Sequence, residues 1–94
     1  MATVVAGDFE WDEAKAKSNA EKHGVTFEEA ATAVIDENAV FLTDDSSAED
    51  RFRVIGMSVR SRILLVVTVD RGQRDRIISA RPATLAEENI YGQS

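Results

Sequence analysis

Two hydrophobic periods divide this chain. From Glu13 to His23 strong helix formers run between Asp12, a residue type that caps helix N-termini, and Gly24, a residue type that stops helices. Thr26 opens a second helix, and Glu29 three residues on completes a capping-box pattern. Phe27, Ala30, Ala31, Val34 and Ile35 are spaced for one apolar face, and this helix should end near Asp36 to Asn38. Beyond it the period becomes two. Ala39 to Thr43 reads as a short strand, followed by an acidic loop from Asp44 to Asp50. Arg51 to Ser58 sets Phe52, Val54 and Gly56 on one face and Arg53, Ile55 and Met57 on the other.

A turn over Ser58 to Ser61 leads into Ile63 to Val69, an almost continuous apolar run that belongs at the centre of a sheet, covered on both faces. Gly72 marks a hairpin turn within Asp70 to Gln73. Asp75 to Arg81 is the last strand, with alternation placing Ile77, Ser79 and Arg81 on one face and Arg76, Ile78 and Ala80 on the other; Pro82 should end it. Thr84 and Glu87 form a second capping-box pattern for a final helix closed by Tyr91 and Gly92. Residues 1–7 are small and apolar without clear period, and Phe9, Glu10 and Trp11 alternate as the start of a short strand would. Two helices, an antiparallel β-meander of about four strands and a C-terminal helix predict a two-layer α+β domain, one domain over residues 1–94.

Charge sharpens this picture. All eight arginines fall between Arg51 and Arg81, against only Asp70 and Asp75 in that stretch. Residues 1–50 carry three lysines and thirteen acids, and the whole chain is at −6. An acidic protein with its arginines on one sheet can still present a basic face, although the net charge argues against a general nucleic-acid binder. The absence of cysteine excludes a disulfide scaffold and thiolate catalysis. One histidine and no cysteine cannot build an ordinary zinc site, and the acidic loop lacks the pattern of a calcium loop. No glycine-rich phosphate loop and no nucleophile elbow are present. No cofactor is expected. With no apolar run near 18 residues, the expectation is a cytoplasmic protein without a membrane span.

Three groups of residues could carry chemistry. Lys15, Asn19 and His23 stand at i, i+4 and i+8 on one helical face. The bland account of His23 is a ring donating to the terminal carbonyls of its helix. Arg81 ends the last strand, where its planar fork suits a phosphate, and Arg62 begins the neighbouring one. The bland account of Arg81 is a structural ion pair, for instance with Glu87. Glu87 and Tyr91 share a face of the last helix, where a capping glutamate and a core-edge tyrosine are the ordinary explanation. Together these groups would supply base, acid and charge stabilisation without a metal.

Four stretches, FEWDEAKAKSNAEKHGVTFEEA (residues 9–30), IGMS (55–58), RILLVV (62–67) and RIISAR (76–81), followed by Glu87 and Tyr91, closely resemble the BrnT family of type II toxins. The likeness runs from Phe9 to Tyr91. It departs from the family pattern at Ser61, where glycine is frequent, and at Glu88, where a basic residue is usual. The resemblance implies a RelE-like fold and a metal-independent RNA endonuclease that inhibits translation, with ribosome-bound mRNA among its conceivable targets. It implies neutralisation by a DNA-binding BrnA-type antitoxin, through which alone the complex would reach operator DNA.

Carried onto this chain, the catalytic set would be His23, Arg62, Arg81, Glu87 and Tyr91, with Lys15, Asn19, Lys22 and Arg76 binding RNA and no metal. The competing expectation is a toxin-fold binding module, weak or inactive in catalysis, that serves as antitoxin partner and co-repressor. An exposed meander edge also invites self-pairing, so a homodimer is a further expectation.

Overall fold

The computed structural model describes residues 2–43 and 50–93, so the expected acidic loop lies outside the described residues except for Asp50. The elements in chain order are β1 (Thr3–Ala6), β2 (Phe9–Asp12), α1 (Glu13–His23), α2 (Phe27–Val34), β3 (Val40–Thr43), β4 (Arg51–Met57), β5 (Ile63–Asp70), β6 (Asp75–Pro82) and α3 (Leu85–Gly92). The six strands form one mixed sheet in the order β1-β2-β6-β5-β4-β3. β3 to β6 are the expected antiparallel meander. To it the chain adds a β1–β2 hairpin, with β2 running parallel to β6 through Phe9 opposite Asp75 and Glu10 opposite Arg76. The expected sheet of about four strands is thus corrected to six, and it is not purely antiparallel.

Local chemistry explains the elements. The Asp12 carboxylate accepts the Lys15 N–H at 3.0 Å, which caps α1. Gly24, at φ 69°, takes the left-handed conformation that ends α1, its N–H donating to the Ala20 carbonyl. Gly7, at φ 59°, lies in the two-residue Gly7–Asp8 turn that joins β1 to β2. At Thr26 only half of the capping box forms. The Thr26 hydroxyl accepts the Glu29 N–H, but the Glu29 carboxylate goes elsewhere. At Thr84 both halves form.

α1 runs along β6, and α2 lies across β4, β5 and β6. The core between these helices and the sheet is built from Phe9, Trp11, Val25, Phe27, Val54, Leu64, Val66 and Ile77, with Ala30, Ala33 and Ala80 where backbones come close. The Trp11 and Phe27 rings meet edge to face, with centroids 6.0 Å apart. β5 is buried on both faces, as its continuous apolar run predicts: Leu64 and Val66 join the main core while Leu65 and Val69 are buried on the opposite face. None of the described helices is long and apolar enough to cross a membrane.

β6 departs from simple alternation. The register steps from Val67 opposite Ser79 to Thr68 opposite Ile77, leaving Ile78 as the extra residue of a β-bulge. Ile77 and Ala80 therefore both reach the core, and Ser79 and Arg81 occupy the other face. This corrects the expected grouping of Ile77 with Ser79 and Arg81. The strand also continues through Pro82, opposite Leu64. Ala83 N–H donates to the Ile63 carbonyl, so Pro82 stands at a position where the ladder to β5 asks for no donor.

The tightest approach between layers is at Gly56. A Cβ placed there would lie 2.1 Å from the Ala33 carbonyl oxygen of α2. Only a residue without a side chain lets α2 settle on β4 here. We expect Gly56→Ala to lower stability by about 1–3 kcal/mol, read as a lower urea midpoint with an unchanged m-value. An unaltered midpoint would mean that α2 can shift without cost.

Candidate functional site

A cleft of about 210 Å³ opens between α1 and β6. Lys15, Ser18, Asn19, Lys22 and His23 line it from α1, and Ile78 and Ser79 from β6. α1 places four of the nine nominated residues here because helical spacing stacks positions 15, 19, 22 and 23 toward one side. No ion pair among the described residues engages Lys15, Lys22 or His23. Arg81 follows Ser79 by two residues on the same face of β6, about 7 Å along the strand.

Asn19 is different. It is buried, and its amide nitrogen donates to the carbonyls of Val25 at 3.0 Å and Ala80 at 2.8 Å. Its oxygen accepts the Ala80 N–H at 3.1 Å. Beyond Arg76 no strand among the described residues pairs with this edge of β6, and the Asn19 amide supplies the missing partner to Ala80. Asn19 thus walls the cleft and fixes α1 to the sheet, leaving neither amide hydrogen for a ligand.

The remaining nominated residues are divided among three ion pairs and one short hydrogen bond. Arg62 donates through Nε to Glu29 Oε2 at 3.0 Å and through a terminal nitrogen to Glu29 Oε1 and the Gly24 carbonyl. Glu29 also accepts the Ser58 hydroxyl at 2.7 Å, and its side chain is only 4% exposed. Arg62 therefore turns to the helical layer, whereas Arg81 turns to α3. Arg62 and Arg81, both expected in the catalytic set, are thus held by different carboxylates, Glu29 and Glu87. Ser61, before Arg62, sits at φ 60°, the left-handed conformation that favours glycine. Arg76 pairs with Glu10 across β6 and β2 at 2.6 Å.

Arg81 and Glu87 form a two-pronged pair, at 2.8 and 2.9 Å. Glu87 Oε1 also accepts the Thr84 N–H at 2.9 Å, so one carboxylate both caps α3 and holds the arginine. The Arg81 guanidinium holds the Glu87 carboxyl below its usual range, against the opposing effect of burial, and Arg81 is raised in turn. The Tyr91 hydroxyl donates to Asp36 at 2.6 Å, which raises the phenol and lowers the Asp36 carboxyl. Asp36 accepts the Met57 N–H as well, so Tyr91 ties α3 to the end of α2 and to β4.

A larger hollow of about 320 Å³, floored by Val4, Trp11 and Phe27, lies between β1, α1 and α2 and contains none of the nominated residues. Among the described residues no cluster of three or more His, Asp or Glu side chains could hold a metal ion. Sequence reasoning missed Glu29 and Asp36 as organising groups. Glu29 is the third residue of its helix and reads as a cap, while Asp36 reads as a chain end; nothing local signals their distant partners, Arg62 and Tyr91.

An α+β domain with a cationic cleft between its first helix and its last strand is the class this structure defines. The family model described as "Ribonuclease toxin, BrnT, of type II toxin-antitoxin system" matches residues 11–87, and the chain belongs to that family. The Brucella abortus ribonuclease toxin BrnT, known from a crystal structure, shares the fold with a TM-score of 0.64 and 27% identity over 79% of this chain and 92% of that one. No curated protein matches the sequence significantly. As a type II toxin, a member of this family has an antitoxin as partner.

The bond network has measurable consequences for stability. Removing Arg62 leaves the nearly buried Glu29 with only the more distant Arg60, at 3.9 Å, as its cation, and Arg62→Ala should cost roughly 3 kcal/mol of stability. Asn19→Ala should cost about 1–3 kcal/mol by leaving the Ala80 backbone unpaired. Both are read by urea unfolding, and native stability in either variant would refute the assigned bonds.

Stability should also depend on pH in a way these bonds dictate. Glu29 is lowered chiefly by its bond to Arg62, as Glu87 is by Arg81 and Asp36 by Tyr91. Their stabilisation is complete above the ordinary carboxylate value of 4.5 or 3.8 and disappears as pH falls through the lower folded values. Asp75 is raised by burial and by Asp70 and Asp8, so its proton is taken up above 3.8 and stabilises the fold first on acidification. Urea unfolding across the acid range should show Asp75→Asn flattening the upper part of the profile and Glu29→Gln the lower. Profiles parallel to that of the unaltered protein would contradict these assignments.

Proposed function

We propose that this protein is the toxin of a type II toxin-antitoxin pair and cuts RNA without a metal, using the cleft between α1 and β6. The observation that carries the reading is the gathering of Lys15, Lys22 and His23 in one cleft beside the strand that carries Arg81. His23 draws the proton from a ribose 2′-OH. The resulting alkoxide attacks the adjacent phosphorus, forming the 2′,3′-cyclic phosphate and breaking the bond to the 5′ oxygen of the next nucleotide. Lys15 returns a proton to that leaving oxygen. Arg81 and Lys22 hold the charge that grows on the non-bridging oxygens, where preorganised cations contribute most.

Glu87 and Tyr91 fit the acid and base roles less well. The Glu87 carboxylate is held by Arg81 and Thr84, which weakens it as a base, and the Tyr91 proton is committed to Asp36. Arg62 acts through the fold in this reading. A BrnA-type antitoxin is the partner that silences the activity, and operator DNA is reached through it.

Induced expression of this chain alone in a bacterial host, followed by growth and by the integrity of total RNA, tests the proposal. Arg81→Ala should reduce RNA cleavage on the order of 10²–10³-fold, and His23→Ala about 10²–10⁴-fold, with both proteins folded. Unimpaired growth from soluble, folded, unaltered protein would instead identify a toxin fold kept for binding its antitoxin.

A further inference from the structure

The Arg81 guanidinium is already occupied by an anion of the protein's own. Both terminal nitrogens bind the two Glu87 oxygens, and one of them also donates to the Pro82 carbonyl. A two-pronged carboxylate matches a guanidinium in the geometry that a phosphate would need. The two anions cannot take the same fork together. The Arg81 side chain is 36% exposed and that of Glu87 15%, so an arriving phosphate can reach the arginine from solvent.

The element that carries Glu87 is suited to yielding. α3 is eight residues long and buries none of them, while Leu85 and Ile90 face outward. A helix of this length has little stability of its own in water. Two of its side-chain ties, Arg81 to Glu87 on the sheet and Tyr91 to Asp36 beyond α2, are polar. Glu87 also keeps a second donor if it releases Arg81, because Oε1 accepts the Thr84 N–H. Releasing the arginine therefore leaves the carboxylate solvated and still capped.

We infer that Glu87 is a positioning residue that occupies Arg81 in the free protein and competes with the RNA phosphate for it, giving up the guanidinium when substrate binds. This rests on the proposed ribonuclease reading and assigns Glu87 a role opposite to that of a general base. Removing its charge frees the arginine, so Glu87→Gln tightens RNA binding and lowers KM while turnover is maintained. Gln can still accept the Thr84 N–H, which preserves the helix start.

The test is the affinity of a short 2′-O-methyl RNA, which cannot be cleaved through the 2′ oxygen, for the unaltered protein, Glu87→Gln, Arg81→Ala and Thr84→Ala. Cleavage of the corresponding unmodified RNA separates KM from turnover. The expected result is binding about tenfold tighter for Glu87→Gln, weaker for Arg81→Ala, and no tighter for Thr84→Ala, which loosens α3 without neutralising the carboxylate. If Glu87→Gln instead slows turnover by roughly 10²-fold or more with KM unchanged, Glu87 is the base and the inference is overturned. Unchanged affinity in Glu87→Gln would overturn it too, as would equal tightening in Thr84→Ala. If Arg81→Ala weakens binding while Glu87→Gln leaves it unaltered, the competition alone is wrong. If Arg81→Ala has no effect, or no variant binds RNA, the ribonuclease site itself is wrong and the inference falls with it.

Discussion

The Glu29 carboxylate is the interaction on which the rest of this fold leans. It sits almost fully buried between α2 and the turn that joins β4 to β5, receiving Arg62 and the Ser58 hydroxyl. Desolvating a carboxylate is costly unless charge and hydrogen bonds replace the lost water. Here both are supplied, and the geometry of their supply sets the layers. Arg62 reaches onward to the Gly24 carbonyl, so one guanidinium joins the start of β5, the first turn of α2 and the end of α1. With α2 held in place, the absence of a side chain at Gly56 lets its backbone rest against β4. The orientation of α1, and hence the cleft it lines, depends on the same joint.

A second joint completes the placement. β2 leaves most of one edge of β6 without a strand partner, and the Asn19 amide binds the backbone of Ala80 there as a strand would. Unpaired backbone groups on a buried edge would be unfavourable. Because the bond comes from the middle of α1, the face carrying Lys15, Lys22 and His23 is brought against Ile78 and Ser79. The β-bulge at Ile78 acts together with it, turning Ser79 and Arg81 away from the core while Ile77 and Ala80 stay inside. A structural amide and a structural bulge therefore determine which polar groups share the cleft.

Much of this was legible in the sequence. The three helices, their caps, the β3–β6 meander and the burial of β5 follow from period, capping residues and an unbroken apolar run. Of the β1–β2 hairpin only the alternation of Phe9, Glu10 and Trp11 was legible, because residues 1–7 have no clear period and four-residue strands give period too little length to register. Its parallel contact with β6 joins residues 66 apart in the chain, which no local pattern encodes. The bulge is invisible for a related reason, since alternation assumes that every residue of a strand has a partner. In the candidate site the residue types were legible, as were the Arg81–Glu87 pair and its capping box, but the bonds of Asn19 and Arg62 were not. Lys15, Lys22 and His23 meet as their helical spacing predicts, whereas Asn19 and Arg62 were assigned to RNA and catalysis and are bound into the fold.

Charge changes meaning in the same way on folding. Along the chain the arginines form one basic block and most acids precede it, a pattern that suggests a strongly positive sheet. In three dimensions Arg62 meets Glu29, Arg76 meets Glu10 and Arg81 meets Glu87. Each pair joins the basic block to an acid from outside it, so the segregation in sequence becomes pairing in space. The arginines Arg62 and Arg81 are about equally exposed, but their carboxylates differ, Glu29 at 4% and Glu87 at 15%, and that difference separates the roles of the pairs. Glu29 is sealed, and exchanging it for a solvent-borne anion would require opening the helical layer. Arg81 is held by the less buried carboxylate and lies on the strand that walls a cleft whose lysines are in no ion pair among the described residues. In the proposed reading an anion drawn in by Lys15 and Lys22 meets an arginine whose carboxylate is open to exchange, while Arg62 stays with the nearly buried Glu29. An acidic protein can in this way keep one site for phosphate without presenting a basic surface to every nucleic acid it encounters.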